Sequence, residues 1–471
     1  MMDKKRVVIV GGGVTGLSAA YHLQKQVQSA KLPIEITLVE GSNRLGGRIH
    51  TIKRDGFTIE KGPDSLLARK PIAMELVKEL DILNQTRYNS TGQSFMLIKN
   101  KLHKMPKGAF MGVPKQIGPL MRSKSFTLSG KIRGLMDLIK PKNKSTEDES
   151  LGHFMRRRFG NQIVDNQIDP LLSGIHSGDI DKMSLQAIYP IFGKMEQGYG
   201  SVMKGLARTM PKPEKNKKGK PAQGQFFSFT NGLQTLVNEL EAQLDAVEII
   251  RENRVNHIEK KEAGYHVLLD SGNVLAADFV LVAVPHTQVP GMLSKHQPLQ
   301  ELFDIPATST ANVVLAFDEK QIKRDLDGTG FLVTRNSNYR ITACTWTHRK
   351  WEGTAPAGKA LLRCYVGKPD DQEIVNESDE ALVDIVLKDL NKVMKIKGRP
   401  LFYEITRFIE ARPQYHTGHL ELISRVRAYV AGHLPNVALI GSSYDGTGLP
   451  DCIEHGQKGA ELALKALTEN K

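Results

Sequence analysis

A glycine cluster, one acid and two arginines within the first fifty residues carry the clearest chemistry in this chain. Gly11-Gly12-Gly13-Val14-Thr15-Gly16 follows the apolar run Val7-Val8-Ile9-Val10, and Glu40 ends a second apolar run, Ile34–Val39. Strand, glycine turn, helix, strand and acid are the sequence form of a dinucleotide-binding βαβ unit. Gly11 lets the chain turn sharply off the strand. Gly13, lacking Cβ, lets the backbone approach a pyrophosphate, and Gly16 lets the helix pack close to the sheet. The turn through Gly12, Val14 and Thr15 brings free N–H groups and the positive end of a helix to the phosphates. Glu40 is suited to accept hydrogen bonds from ribose hydroxyls. It follows Gly11 by 29 positions, more than the usual spacing of about 20; an extended helix and loop over His22–Pro33 explains the difference. A glycine-rich turn that binds nothing is the competing reading, and the correctly placed strand, helix and acid argue against it.

The run Gly41-Ser42-Asn43-Arg44-Leu45-Gly46-Gly47-Arg48 comes next. Gly46 and Gly47 permit close backbone approach, and Arg48 offers a planar charged fork to phosphate oxygen. With this R-x-G-G-R run the chain resembles the flavin-containing amine oxidase superfamily, which includes porphyrinogen oxidases, amine oxidases and carotene desaturases. There the run wraps the FAD diphosphate. Gly62-Pro63-Asp64-Ser65, Asp169-Pro170-Leu171-Leu172-Ser173-Gly174-Ile175, Pro413-Gln414-Tyr415-His416-Thr417-Gly418-His419 and Gly446-Thr447-Gly448-Leu449-Pro450-Asp451-Cys452-Ile453 narrow the resemblance. They point to the porphyrinogen oxidase branch, and within it to the coproporphyrinogen III oxidases of Gram-positive bacteria. The resemblance runs from Arg6 to about Leu467.

It implies an FAD-dependent oxidation of a porphyrinogen with dioxygen as acceptor: six electrons in three rounds, with hydrogen peroxide released. It also implies cofactor contacts from Gly47, Gly62, Pro63, Asp64, Ser65, Thr447, Gly448 and Leu449, and a backbone pair from Val255 to adenine. Phe408 would lie at the flavin edge, where an aromatic such as Trp is familiar in the family. The reactive group belongs to the cofactor, so no catalytic side chain is expected. No Ser-His-Asp set, carboxylate pair or metal-ligand spacing is found. The stretch Gly441-Ser442-Ser443-Tyr444 has no cysteine, so the FAD is expected to be noncovalent, which weighs against the amine oxidase branch. A non-catalytic binding protein of the Rab-escort fold keeps the glycines without flavin; the complete Arg44–Arg48 run argues against it.

The macrocycle carries carboxylates, so basic residues should hold it. Lys70 and Arg69 are the candidates, with surface charges opening a helix as the equal alternative. Tyr365 either faces the cavity or is a core tyrosine. Arg156-Arg157-Arg158 read as a solvated helix face, and His153, His176, His286 and His416 as ordinary polar contacts.

The elements that must position these residues are read from pattern. The expected class is α/β, α+β overall: a Rossmann-like FAD domain of separated pieces (1–67, 226–290, 411–471), a helix-rich basic domain (68–209), a mobile loop (210–225) and a mixed-sheet substrate domain (291–410). The 471 residues are enough for this, and their 25% charge is that of a globular chain. Twelve Lys or Arg and a single acid, Asp137, fall between Lys99 and Lys144, and Lys212–Lys220 is basic too. A solvated basic face, attraction to anionic lipid and attraction to a polyanionic substrate all fit. Nucleic acid lacks a recognition motif. An anionic membrane touched peripherally and a chelatase met transiently stay open as partners. Three scattered cysteines and no apolar run near the roughly 18 residues needed to span a bilayer lead to the expectation of a cytoplasmic protein.

Overall fold

The computed structural model describes residues 4–89, 93–106, 108–145, 147–210, 224–324 and 327–469. Residues 211–223, most of the expected mobile loop, and the basic run within them lie outside the described residues.

A five-stranded parallel sheet carries the glycine cluster. Its order is Val247–Ile250, Ile34–Val39, Lys5–Val10, Phe279–Val282, Val437–Leu439. The run Val7–Val10 is buried throughout because both faces of this strand are covered. Val7 and Ile9 pack towards the helices Val14–Ala30, Gln234–Ala242 and Leu449–Glu469. Val8 and Val10 pack towards a three-stranded antiparallel layer, Val255–Lys261, Gly264–Leu269 and Val274–Ala277, and the helix His419–His433. The sheet therefore collects strands from three distant parts of the chain.

A second sheet has seven strands: Phe402–Pro413, Ala307–Asp318, Lys359–Val366, Ile341–Trp346, Gly330–Val333, Phe95–Ile98, Lys101–Lys104. Its strand Ala307–Asp318 divides its faces by parity. Ala311, Val313, Leu315 and Phe317 enter a core shared with the helix Asp379–Met394. Thr308, Thr310 and Asn312 belong to the opposite face, where Asn312 Nδ2 donates to the carbonyls of Glu60 and Lys61 at 3.2 Å. That polar face is turned to the dinucleotide domain.

Helices between residues 117 and 209 form the third layer, around Phe154, Phe159, Ile163 and Phe192. Its centre corrects one expectation. Arg156–Arg158 are not a solvated face: Arg158 is fully buried, its Nε 2.5 Å from Asp137 and its Nη1 3.0 Å from Glu196. Ser201 Oγ (2.6 Å) and the Met203 N–H (2.9 Å) also donate to Asp137. Arg157 pairs with Glu149 and Glu196, both at 2.7 Å. The lone acid of the basic segment is thus the anchor of the layer.

Boundaries also move. Phe95–Ile98 and Lys101–Lys104, inside the segment expected to be helix-rich, extend the seven-stranded sheet. Ala73, Leu76 and Val77 of the helix Pro71–Glu79 share the dinucleotide-domain core. Leu293, Leu299 and Leu302, expected in the substrate domain, pack on the dinucleotide side.

Candidate active site

Three glycine backbones make the floor of a groove at the end of the parallel sheet. The Gly11 N–H donates to the Val39 carbonyl at 2.7 Å, and Gly46 N–H to the Gly12 carbonyl at 2.8 Å. Gly16 allows the packing foreseen for it: a Cβ there would sit 1.9 Å from the Gly11 carbonyl oxygen. Gly13 differs in kind, because a Cβ there meets no atom within 4 Å, while a Cβ on Gly47 would stand 3.2 Å from the Gly13 Cα. The groove admits a ligand's backbone-close approach at Gly13 and Gly47. The first helix, Val14–Ala30, starts at Gly13 with no side-chain cap, so its leading N–H groups face this groove.

The final helix, Leu449–Glu469, brings a second N-terminus alongside. Gly456 permits this, since a Cβ there would lie 2.4 Å from the Thr15 carbonyl oxygen. Ser18 Oγ donates to the Ile453 carbonyl at 2.8 Å. The turn Gly446-Thr447-Gly448 is held by Tyr415, whose hydroxyl accepts from Gly446 N–H at 2.9 Å and donates to the Ser442 carbonyl at 2.8 Å. Leu449 is partly buried against the dinucleotide-domain core.

Glu40 is already engaged. Its Oε2 accepts from Gly12 N–H at 2.8 Å, and its Oε1 from the Ser42 N–H (2.8 Å) and Oγ (2.7 Å). The carboxylate thus ties the glycine turn to the following loop, and a ribose would share it. Gly41 lies against Arg254, 2.6 Å from a would-be Cβ. That brings buried Val255 close to the same loop.

Arg48 is half-buried and donates to the Ala411 carbonyl; desolvation lowers its pKa. Gly62 fits against it, for a Cβ would stand 1.7 Å from the Arg48 carbonyl oxygen. The Gly62-Pro63-Asp64-Ser65 run reads differently in space than in sequence. Asp64 accepts from Lys350 Nζ at 2.8 Å, Trp351 Nε1 at 3.3 Å and Ser65 Oγ at 2.6 Å. Burial works to raise its pKa, but Lys350 and Arg363 outweigh it and hold the carboxyl below its usual range. Arg363 also donates to the Gly62 carbonyl and, at 3.0 Å, to Asn312 Oδ1. The run fastens the dinucleotide domain to the second sheet, and the Asp64 carboxylate is committed to protein partners.

Beyond that fastening lies a cavity that opens to solvent. The helix Asp169–His176 and the polar face of the second sheet line it: Asp169, Ser173, Thr310, Tyr365, Lys368 and Arg412 among them. Tyr365 does face the cavity; burial raises its pKa. Arg412 pairs in register with Thr308 beyond a bulge on its strand. Burial, Arg48 and Arg363 lower its pKa to about 10. His176, bonded to the Tyr189 hydroxyl at 3.0 Å, is pushed down to about 4 by burial and then by Arg412.

The two basic residues expected to hold carboxylates are not among the cavity's lining residues. Lys70 pairs with Asp451 of the final helix. The Arg69 guanidinium lies over the Phe110 ring, 5.0 Å from its centroid. Phe408, opposite Thr310 in register, is on the sheet face turned to the dinucleotide domain, as its neighbour Arg407 turns away to pair with Asp379 at 2.7 Å. Sequence reasoning missed Arg363, Lys368 and Arg412. The signal that could have found them is the polar alternation Thr308-x-Thr310-x-Asn312, which marks a functional sheet face. Among the described residues no group of His, Cys, Asp and Glu could hold a metal, all three cysteines are free and buried, and no helix is long and apolar enough to cross a membrane.

The groove, two helix N-termini and Arg48 suit a dinucleotide, and comparison with known proteins agrees. The family model "Flavin containing amine oxidoreductase" matches residues 14–464. Coproporphyrinogen III oxidase of Bacillus subtilis (strain 168) is 46% identical over 464 residues, covering 98% of this chain and 99% of that one. Its namesake from Staphylococcus aureus is 39% identical over 98% of this chain and all of its own. A crystal structure from Exiguobacterium sp. 255-15, under a provisional protoporphyrinogen oxidase name, superposes with a TM-score of 0.87 at 38% identity, covering 99% of this chain and 100% of its own. Reduced UDP-galactopyranose mutase shares the fold alone, at TM-score 0.73 and 12% identity over 99% and 96% of the two chains. The chain belongs to the flavin-containing amine oxidoreductase family and is an FAD-dependent oxidoreductase.

Proposed function

We propose that this chain oxidises coproporphyrinogen III to coproporphyrin III, with dioxygen as acceptor and hydrogen peroxide as by-product, in haem biosynthesis. The observation that carries the reading is the end-to-end match, 46% over 98% of this chain and 99% of the relative, to an enzyme of that name. Bound noncovalently in the groove, FAD supplies the hydride acceptor and the route of electrons to oxygen.

The chain's own residues bind and orient. Backbone N–H groups at Gly13 and at the start of the final helix face the diphosphate and the far end of the cofactor. Arg48 supplies fixed positive charge inside the protein. Tyr365, Thr310 and Arg412 line the cavity on the side of the second sheet. Asp169 lies opposite, its carboxyl bonded by Ser173 Oγ at 2.5 Å and its pKa raised by burial. His176 is neutral at pH 7, so it brings no charge to this wall.

Turnover of coproporphyrinogen III and protoporphyrinogen IX under air, followed by porphyrin fluorescence and peroxide release, tests the reading. About three peroxides per porphyrin are expected from six electrons leaving in two-electron steps. Oxidation of simple amines without porphyrinogen turnover would sink it. A preference for protoporphyrinogen would correct the substrate and leave the reaction intact.

A further inference from the structure

Three cations line the cavity, and two of them are compensated. Arg335 is in a two-pronged pair with Asp179, 2.8 and 3.2 Å. Lys368 donates to the Tyr339 carbonyl, and Asp370, Asp371 and Asp389 are its near electrostatic neighbours. Arg412 has neither. Among the described residues its guanidinium makes no hydrogen bond and no ion pair, and Arg48 and Arg363, of its own sign, act on it and lower its pKa. A half-buried guanidinium on a cavity wall without a counter-ion is costly unless an anion joins it. Its five donors in a planar fork match a carboxylate.

The strand geometry shows this placement is built. Thr310 faces Phe408 and Thr308 faces Arg412, so three residues on one strand, Ile409, Glu410 and Ala411, are set against one, Ser309, on the other. Glu410, within the bulge, takes φ 44° and its N–H donates to Ser309 Oγ at 2.8 Å. Bulges of this kind re-aim a side chain beside a site, and here the re-aimed residue is Arg412, on the same face as Thr310 and Tyr365.

We propose that Arg412 anchors a substrate carboxylate inside the cavity, fixing how the macrocycle enters; this rests on the function proposed above. The cofactor diphosphate is the other anion in reach. It is less suited, because the glycine groove and two helix N-termini already serve it, whereas Arg412 projects among Thr310, Tyr365 and Ser173.

The test uses the FAD-loaded full chain and Arg412→Gln, Arg412→Met and Arg412→Lys. Three readouts are needed: bound FAD per chain, steady-state kinetics with coproporphyrinogen III, and binding of coproporphyrin III and its uncharged tetramethyl ester by fluorescence. Arg412→Gln is expected to keep its FAD, raise KM about tenfold (about 1.4 kcal/mol) and change kcat by less than about threefold. Lys should restore part of the loss. The ester should bind wild type and Arg412→Gln equally, while the free acid distinguishes them. Arg412→Met guards against misfolding, since an apolar replacement of an uncompensated buried charge should hold or raise the melting temperature. Loss of FAD from all three variants would assign the anion to the cofactor and overturn the proposal. So would an unchanged KM in FAD-loaded Arg412→Gln. Failure of wild type with every porphyrinogen would instead overturn the function reading, and the Arg412 assignment with it.

Discussion

Arg158 and Arg412 are both arginines drawn into the protein, one fully and one partly buried, and they differ in nearly everything else. Arg158 sits in the helical layer with Asp137, Glu196, four carbonyls and no exposed atom to spare. Arg412 sits on the site face of the second sheet with cations as its nearest charges. The same contrast separates Gly16, tight against the Gly11 carbonyl, from Gly13, which meets no atom within 4 Å. Residues whose interactions close within the protein hold its shape. Residues whose interactions stay open face a ligand. Burial differs in the same direction in both pairs, and the partner lists show what each residue is closed by or open to.

The sharpest way to break this comparison is at the glycines. Gly16→Val should leave no folded protein, seen as loss of the thermal transition. Gly13→Val should fold and come off the column colourless, because a side chain there enters the diphosphate groove. Equal stability loss in both would erase the distinction. Next in size is Asp137→Ala, which strands the Arg158 charge and should cost about 3–5 kcal/mol in denaturant unfolding; a near-neutral result would mean the cluster is not closed.

Glu60 sharpens the comparison as an intermediate case. Its carboxyl accepts from Leu233 N–H at 2.7 Å and Thr51 Oγ at 2.8 Å, yet burial raises its pKa to about 7. The native state then binds more protons than the unfolded chain between about pH 4.5 and 7, so this group makes stability fall as pH rises through that window. Glu60→Gln should flatten the profile there by about 1–3 kcal/mol. An unaltered profile would show the acid to be ionised throughout. Lys70→Ala removes a half-exposed pair with Asp451 and should cost no more than about 1 kcal/mol, with KM shifting less than in Arg412→Gln. A larger KM effect would return Lys70 to the role of carboxylate anchor. Smallest of all, neutralising exposed lysines between Lys99 and Lys144 should slow substrate encounter at low salt only, as screening shortens to about 8–10 Å; a defect that survives salt would place them in direct contact with substrate.

How much was legible in the sequence follows from range. The glycine turn, the helix after it and the strand ending at Glu40 are set by neighbours within a few residues, and they stand as read. The final Gly446–Leu449 turn and helix do too. Arg156–Arg158 were misread because three adjacent charges look solvated until Asp137 and Glu196 arrive from elsewhere in the chain. Lys70 and Asp64 have protein partners that the sequence could not show, because Asp451 and Lys350 are far off in sequence. Arg412 carried no local signal, since its importance comes from a bulge and from the partners it lacks.

The order of strands in the parallel sheet has a consequence for synthesis on the ribosome. Lys5–Val10 is made first and sits in the centre, but its partner Phe279–Val282 emerges some 270 residues later, and the edge strand Val437–Leu439 later still. Until then the early strands lack their neighbours, which is the situation that favours chaperone capture and off-pathway pairing. The second helix N-terminus arrives only with Leu449, so on the cofactor placement proposed above a nascent chain cannot complete the flavin site before that helix has been made. Cofactor uptake therefore reports that translation reached the last helix, and a truncated product should be recognisable by its missing colour.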